Sequence, residues 1–396
     1  MVKQRHLKQL VRDRAAKTGE SYVTARQRVT ARKQNGAAAG GAVERFILPE
    51  TASLALVLEG LGVTAPHTGA APSEALLFGV CGGIGFGYWI FEYKEVPFPL
   101  LSVFTRHAWD SAKRFTTGGL ERLGITHTDK ETSSGPAAEK ALLDALAAGR
   151  RPLVWVSAAL AADSDLPAQL AAAAPHVMVA ESLDAGGETV SLLDRSRTPL
   201  AVARAALAAS RALVKSEKNR LRLIDPPQAL DAQRLRLAVR EAIAACVREL
   251  TGPPPLPAMA APNSGLAGLE KLARQLSDAK DKRGWPKLFP PGPKLQKGLS
   301  GLDRSADGLG TGALRGLYAD FLEEAAALLD RPALREVAAT YRQLAEAWRA
   351  LARAAAAEAP QDEPASHRLL QELGQRVSAI LEQERAAVAA LEGALR

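Results

Sequence analysis

His176 opens an apolar run, His176-Val177-Met178-Val179, with Asp184 and Asp194 downstream. A histidine at a strand start, with an acid held on the partner strand of a hairpin, is how a general base is oriented toward a hydroxyl or thiol nucleophile. Such a nucleophile belongs at the N-terminus of a buried helix, where free amides and the helix dipole stabilise an anion. Thr51 opens the run that reads as that helix, 125 residues before His176. Ser53 would point about 200° away from it on the same helix. The thiols are Cys81, in a glycine-dense loop, and Cys246, inside an amphipathic pattern that reads as core. A histidine at a strand end can equally be a structural residue, and Cys81 a small group filling a gap.

The loop around Cys81 carries Gly79, Gly82, Gly83, Gly85 and Gly87 within nine residues, and the run Gly85–Tyr93 behind it reads as a buried strand. Two readings follow. Gly83, Gly85, Phe86 and Tyr88 form the floor of a substrate site, or the glycines let two backbones pack closely. The loop lacks Gly-Lys-Ser/Thr and the GxGxxG spacing before a helix, so it is no phosphate cradle. The six histidines are scattered and no His-x-x-x-His or Cys-x-x-Cys occurs, so no metal and no cofactor are expected.

The net charge of +8 is concentrated at one end. Residues 1–33 hold ten Lys/Arg against two Asp/Glu, and the remainder holds 41 of each sign. Two short helical patterns meet at Thr18-Gly19-Glu20. Lys3, Arg5, Lys8, Arg12, Arg26, Arg28 and Arg32 would meet nucleic acid or another anionic partner, or simply solvate an arm. Nucleic acid is thus expected through residues 1–33 only. The chain shows no run of 18 apolar residues and no signal-peptide core. With two cysteines in 396 residues, it reads as a cytoplasmic protein without a membrane partner. Abundant Ala and Arg fit a GC-rich bacterial genome.

The positioning elements follow from periodicity and punctuation. Thr51 begins a buried helix ending at Gly60 or Gly62, and Ser73 caps another. Phe98–Phe104, Pro152–Ser157, His176–Leu183, Thr189–Leu193 and Arg220–Ile224 read as strands, with Asp184-Ala185-Gly186-Gly187 as a hairpin turn. Pro136–Ala148 is an amphipathic helix. Beyond Pro253–Pro257 the pattern is helical over 267–280, 312–329, 332–357 and 366–395, with Trp285–Pro293 proline-rich and irregular. The fold class is α+β: a domain over 43–230 with a mostly antiparallel sheet, then an all-α domain over 231–396, preceded by a basic helical arm and linker over 1–42.

Several short motifs stand in order: Glu50-Thr51-Ala52-Ser53, Ser73-Glu74-Ala75-Leu76, Gly82-Gly83-Ile84-Gly85-Phe86-Gly87-Tyr88, His176-Val177-Met178-Val179, Asp194 and Asp225-Pro226. On these, residues 45–227 resemble the N-terminal domain of the butirosin biosynthesis protein H family. The resemblance implies a papain-like fold related to bacteriocin-processing (C39) peptidases. It also implies transfer of an acyl group from an acyl-carrier-protein thioester to a small-molecule amine, through a cysteine helped by histidine. The stretch Gly310 to Glu324, containing Arg315, Tyr318, Asp320, Phe321 and Glu323, resembles the uncharacterised helical domain that often follows. Carried over by motif, the site is Thr51, His176 and Asp194, with Asp184 left as a turn residue. Where the family has His-Cys, this chain has Glu50-Thr51, and an internal threonine lacks the terminal amine that threonine nucleophiles use. The resemblance therefore implies a degenerate member that binds in the old cleft. The alternatives are an active acyltransferase or amidase using Thr51 or Cys81, and a nucleic-acid-associated protein working through its arm.

Overall fold

The computed structural model describes residues 46–92, 98–161, 168–252 and 258–396. The basic segment 1–42, Tyr93 and the Pro253–Pro257 run lie outside the described residues. Helices α1 (Pro49–Gly60) and α2 (Glu74–Val80) precede a hairpin of β1 (Ile84–Phe91) and β2 (Leu100–Arg106). Then come α3 (Ala112–Leu123), β3 (Thr126–Lys130), α4 (Gly135–Ala147), β4 (Leu153–Ser157) and α5 (Ala168–Ala173). Strands β5 (Pro175–Leu183), β6 (Thr189–Leu193) and β7 (Leu200–Ala203) lead to α6 (Arg204–Leu213) and β8 (Leu221–Asp225). The rest is helical: α7 (Ala232–Thr251), α8 (Gly265–Ser277), α9 (Trp285–Leu288), α10 (Pro293–Asp307), α11 (Arg315–Leu329), α12 (Ala333–Ala355) and α13 (Glu363–Leu395).

The chain is thus α+β, with antiparallel sheets in its first half and helices in its second. It forms two compact units that interleave along the sequence. The first takes the described residues up to Val63 with Ile125–Gln228, the second Thr64–Gly124 with Ala229–Arg396. None of the described helices is long and apolar enough to cross a membrane.

The first unit is built on a six-stranded sheet in the order β3-β8-β4-β5-β6-β7, antiparallel throughout. Alternate residues of the central strands, Val154, Val156, Met178, Ala180, Val190 and Leu192, pack with Leu142 of α4 and Leu207 of α6. Helix α1 is apolar on all sides and is buried from Thr51 through Leu58, as a helix covered all round should be. Strand β3, Thr-His-Thr-Asp-Lys, carries no apolar alternation and was not legible as a strand. It stays at the edge, where Asp129 forms an ion pair with Arg222 of β8.

In the second unit the β1–β2 hairpin is wrapped by helices. Gly301 of α10 sits against Leu101, Phe86 stacks toward Trp348 of α12 at 6.2 Å between rings, and Trp285 donates to the Tyr88 hydroxyl at 3.0 Å. Two glycines are required by this packing. Gly83, at φ +68°, lies under the Tyr318 ring, and Gly312, at φ +57°, lies against the backbone of Ala345. The segment expected to be irregular holds the single turn α9, and Pro293 then starts α10. Proline is favoured at a first helical position because its missing N–H is not needed there.

Arg315 of α11 is 1% exposed and pairs with Glu384 of α13, which is fully buried, at 2.6 Å. Its guanidinium also donates to the carbonyls of Ala313, Thr105 and Gly85 at 2.9, 3.2 and 3.4 Å, and Trp348 donates to the same carboxylate at 3.2 Å. Removing one partner leaves a buried charge uncompensated. We expect Arg315→Met to destabilise the second unit by about 3–5 kcal/mol in urea unfolding. Replacing both partners by apolar residues should recover much of that loss, and a single variant as stable as the native protein would contradict this assignment.

Candidate functional site

Thr51 stands in the first turn of α1, after the extended cap Leu48 and Pro49 at the first helical position. It is fully buried, and its Oγ1 donates to the Leu48 carbonyl at 3.4 Å. Two hydrogen bonds tie the lead-in to this helix to the turn after β6. Phe46 N–H donates to the Arg195 carbonyl at 3.1 Å, and Arg195 Nη1 donates to the Ile47 carbonyl at 2.8 Å. Ser53 Oγ donates to the Val177 carbonyl at 3.4 Å, at the end of β5 where the β5–β6 ladder, which begins at Val179↔Leu193, has not started.

The start of α1, the start of β5 with His176, and the end of β6 with Asp194 therefore converge. Both side chains are buried, His176 at 9% and Asp194 at 6% exposure. Alternation along β5 groups His176 with Met178 and Ala180, which pack with α4 and α6, whereas Val177 belongs to the other set. The His176 side chain thus belongs to the face opposite Val177. Asp194 Oδ1 accepts from Ser196 N–H at 2.7 Å, closing the turn after β6. Asp184 accepts from the N–H groups of Glu188 and Thr189 at 2.8 and 3.0 Å. Those backbone bonds hold its carboxyl below the usual range, as a turn residue requires.

The second set of expected residues lies elsewhere. Cys81 belongs to the second unit, caps α2, is 1% exposed, and lies against Gly119 of α3. Gly83, Gly85, Phe86 and Tyr88 are all buried in that unit. A Cβ on Gly85 would meet the Arg106 carbonyl, so the glycine-rich loop is used for backbone-to-backbone packing. Burial pushes the Cys246 thiol up to about 12, which leaves it unreactive. Arg5, Lys8, Arg12, Arg26 and Arg28 lie outside the described residues. Among the described residues no three His, Cys, Asp or Glu side chains gather to hold a metal ion.

A pair not anticipated from sequence joins β2 to α7. His107 Nδ1 lies 3.1 Å from Glu249 Oε2, and the other carboxylate oxygen accepts from Ala108 N–H at 2.7 Å. The residues are 141 positions apart along the chain for that second bond, so no local signal could reveal them. Burial, followed by Arg122, Arg114, Arg106 and Arg248, lowers His107 to about 3. Burial raises Glu249 to about 7. The imidazole is neutral near pH 7, and the carboxyl titrates there.

These two shifts act on stability in opposite senses. The raised Glu249 contributes stability that is complete below 4.5 and lost as pH rises through about 7. The lowered His107 contributes stability that is lost as pH falls from 6.5 toward about 3. In urea unfolding across this range, His107→Asn should leave the decline toward pH 7 exposed, and Glu249→Gln should leave the rise from acid. Profiles parallel to the native one in both variants would contradict the pairing. For the α1 junction, Ser53→Ala should cost about 1 kcal/mol, the worth of one buried hydrogen bond. An unchanged urea midpoint would show that the Val177 contact carries no weight.

No curated protein matches the chain. Residues 49–160 match the family described as butirosin biosynthesis protein H, N-terminal, a span running from α1 with Thr51 through β4 and ending before His176. Residues 199–391 match a domain of unknown function (DUF4872), from the edge of β7 nearly to the end of α13. The chain therefore carries a butirosin biosynthesis protein H N-terminal domain followed by this second, uncharacterised domain.

Proposed function

We propose that the chain is a papain-like protein derived from acyltransferases of butirosin-type biosynthesis, and that it binds an acyl thioester or its carrier protein without forming an acyl-enzyme. The family supplies the acyl-transfer chemistry and the carrier-protein partner. In that chemistry a thiolate attacks the thioester carbonyl, the carrier thiol leaves, and an amine then takes the acyl group.

One observation carries the departure from it. At the position where the family motif has cysteine stands Thr51, buried and with its hydroxyl donating to Leu48. A hydroxyl has to lose its proton to a base at the moment of attack, and this proton is directed at a carbonyl of the helix lead-in. Cys81 and Cys246 are both buried, and burial pushes the Cys246 thiol up to about 12. The contacts that tie α1 to β5 and to the turn after β6 then remain, with the buried His176 and Asp194 as the binding groups of this reading.

The test is calorimetric titration of the protein with an acyl-pantetheine thioester and with the acylated carrier protein. Thr51→Ala is expected to bind as tightly as the native chain, because the hydroxyl contributes nothing to recognition. His176→Ala and Asp194→Ala are expected to weaken binding. No binding by the native protein, or binding lost with Thr51→Ala alone, would overturn this reading.

A further inference from the structure

The two family matches and the two compact units divide the chain differently. The first matched region, residues 49–160, contributes α1, β3, α4 and β4 to the first unit and α2, β1, β2 and α3 to the second. The second matched region, residues 199–391, contributes β7, α6 and β8 to the first unit and α7 through most of α13 to the second. A domain that folds by itself holds its own core. Both cores here are shared between the two regions.

In the first unit, β8 is an interior strand. It lies between β3 and β4, with Leu221 opposite both Lys130 and Val154. Among the described residues β3 has no other strand neighbour, so the first region alone leaves it unpaired. Leu207 of α6 and Leu221 are each 1% exposed and pack into one core with Val154 and Val156 of β4. The N–H of Ser157, at the end of β4, donates to Ser210 Oγ of α6 at 3.1 Å.

In the second unit, the first region supplies a two-stranded hairpin, which by itself is marginal in water. Ile84, Phe86 and Tyr88 of that hairpin are at most 1% exposed. The second region places Trp348 and Gly268 against Phe86, and Trp285 against the Tyr88 hydroxyl. It meets α2 in the same way, with Phe321 over Gly79 and Tyr318 edge-on to Phe78 at 6.4 Å. We infer that residues 199–391 are an obligate folding partner of residues 49–160, threading an interior strand into one unit and covering the hairpin of the other. The uncharacterised region thereby gains a role that does not rest on any reading of Thr51.

Hydrogen exchange of the full-length protein, followed peptide by peptide, tests this with two substitutions inside the second region. Leu373→Ala, at a fully buried position of α13, is expected to speed exchange in the β1–β2 hairpin by roughly tenfold or more along with that of α13. Leu207→Ala in α6 is expected to do the same in β4. Acceleration confined to residues 199–391 in either variant would overturn the assignment. A truncated core can fail to fold, so the native chain is also cut at a protease site placed between Thr198 and Pro199, in the exposed link from β6 to β7. The two pieces are expected to co-elute in gel filtration with native circular dichroism. Pieces that separate and each keep native circular dichroism would overturn the assignment as well.

Discussion

A guanidinium taken out of water has to be given acceptors by the protein around it, and the second unit is arranged to do this for Arg315. Its partners come from α13, from both strands of the β1–β2 hairpin and from the turn before α11. Each acceptor fixes the place of an element. The hairpin cannot slide without withdrawing the Gly85 and Thr105 carbonyls, and α13 cannot rotate without withdrawing Glu384. Glycines then appear where such close approach demands them, under Tyr318 at Gly83 and against Ala345 at Gly312. The same requirement recurs in the first unit, where Arg222 fixes the edge strand β3 through Asp129.

The junction at the start of α1 depends on a weaker set of contacts. The start of α1 is tied to β5 and to the turn after β6 by three hydrogen bonds, two of them along one short stretch at Phe46 and Ile47. This junction ties a helix N-terminus to the strand that carries His176 and to the turn that follows Asp194. The residue at the reacting position is a threonine whose hydroxyl is engaged locally. Framework and chemistry are thus separable here, because the contacts that build the junction are made by Ser53, Arg195 and backbone groups and none of them needs a thiol.

Much of this was legible in sequence where a single physical signal dominated. Helices α11 to α13 have sustained apolar periodicity, and β4, β5 and β6 have β-branched runs with turn residues between them. The alternation of these signals gave the α+β class. Strand β3 was hidden by its polar composition and β7 by its length of four residues, since edge strands need little apolar surface. Helix α10 was hidden by the prolines before it, one of which initiates it. The glycine-dense loop left packing and binding open, and the rings and carbonyls packed against it come from residues far away in sequence. The His107–Glu249 pair was unreadable for the same reason: it depends on a long-range contact that leaves no local periodicity.

On the reading proposed above, Thr51 does not support the covalent step of acyl transfer. Intact-protein mass after incubation with a panel of acyl-pantetheine thioesters addresses it most directly, with Thr51→Ala, Cys81→Ala and His176→Ala alongside. The native protein is expected to gain no acyl mass. An acyl adduct that disappears in Thr51→Ala or Cys81→Ala and forms more slowly in His176→Ala would contradict it, and would identify a working nucleophile.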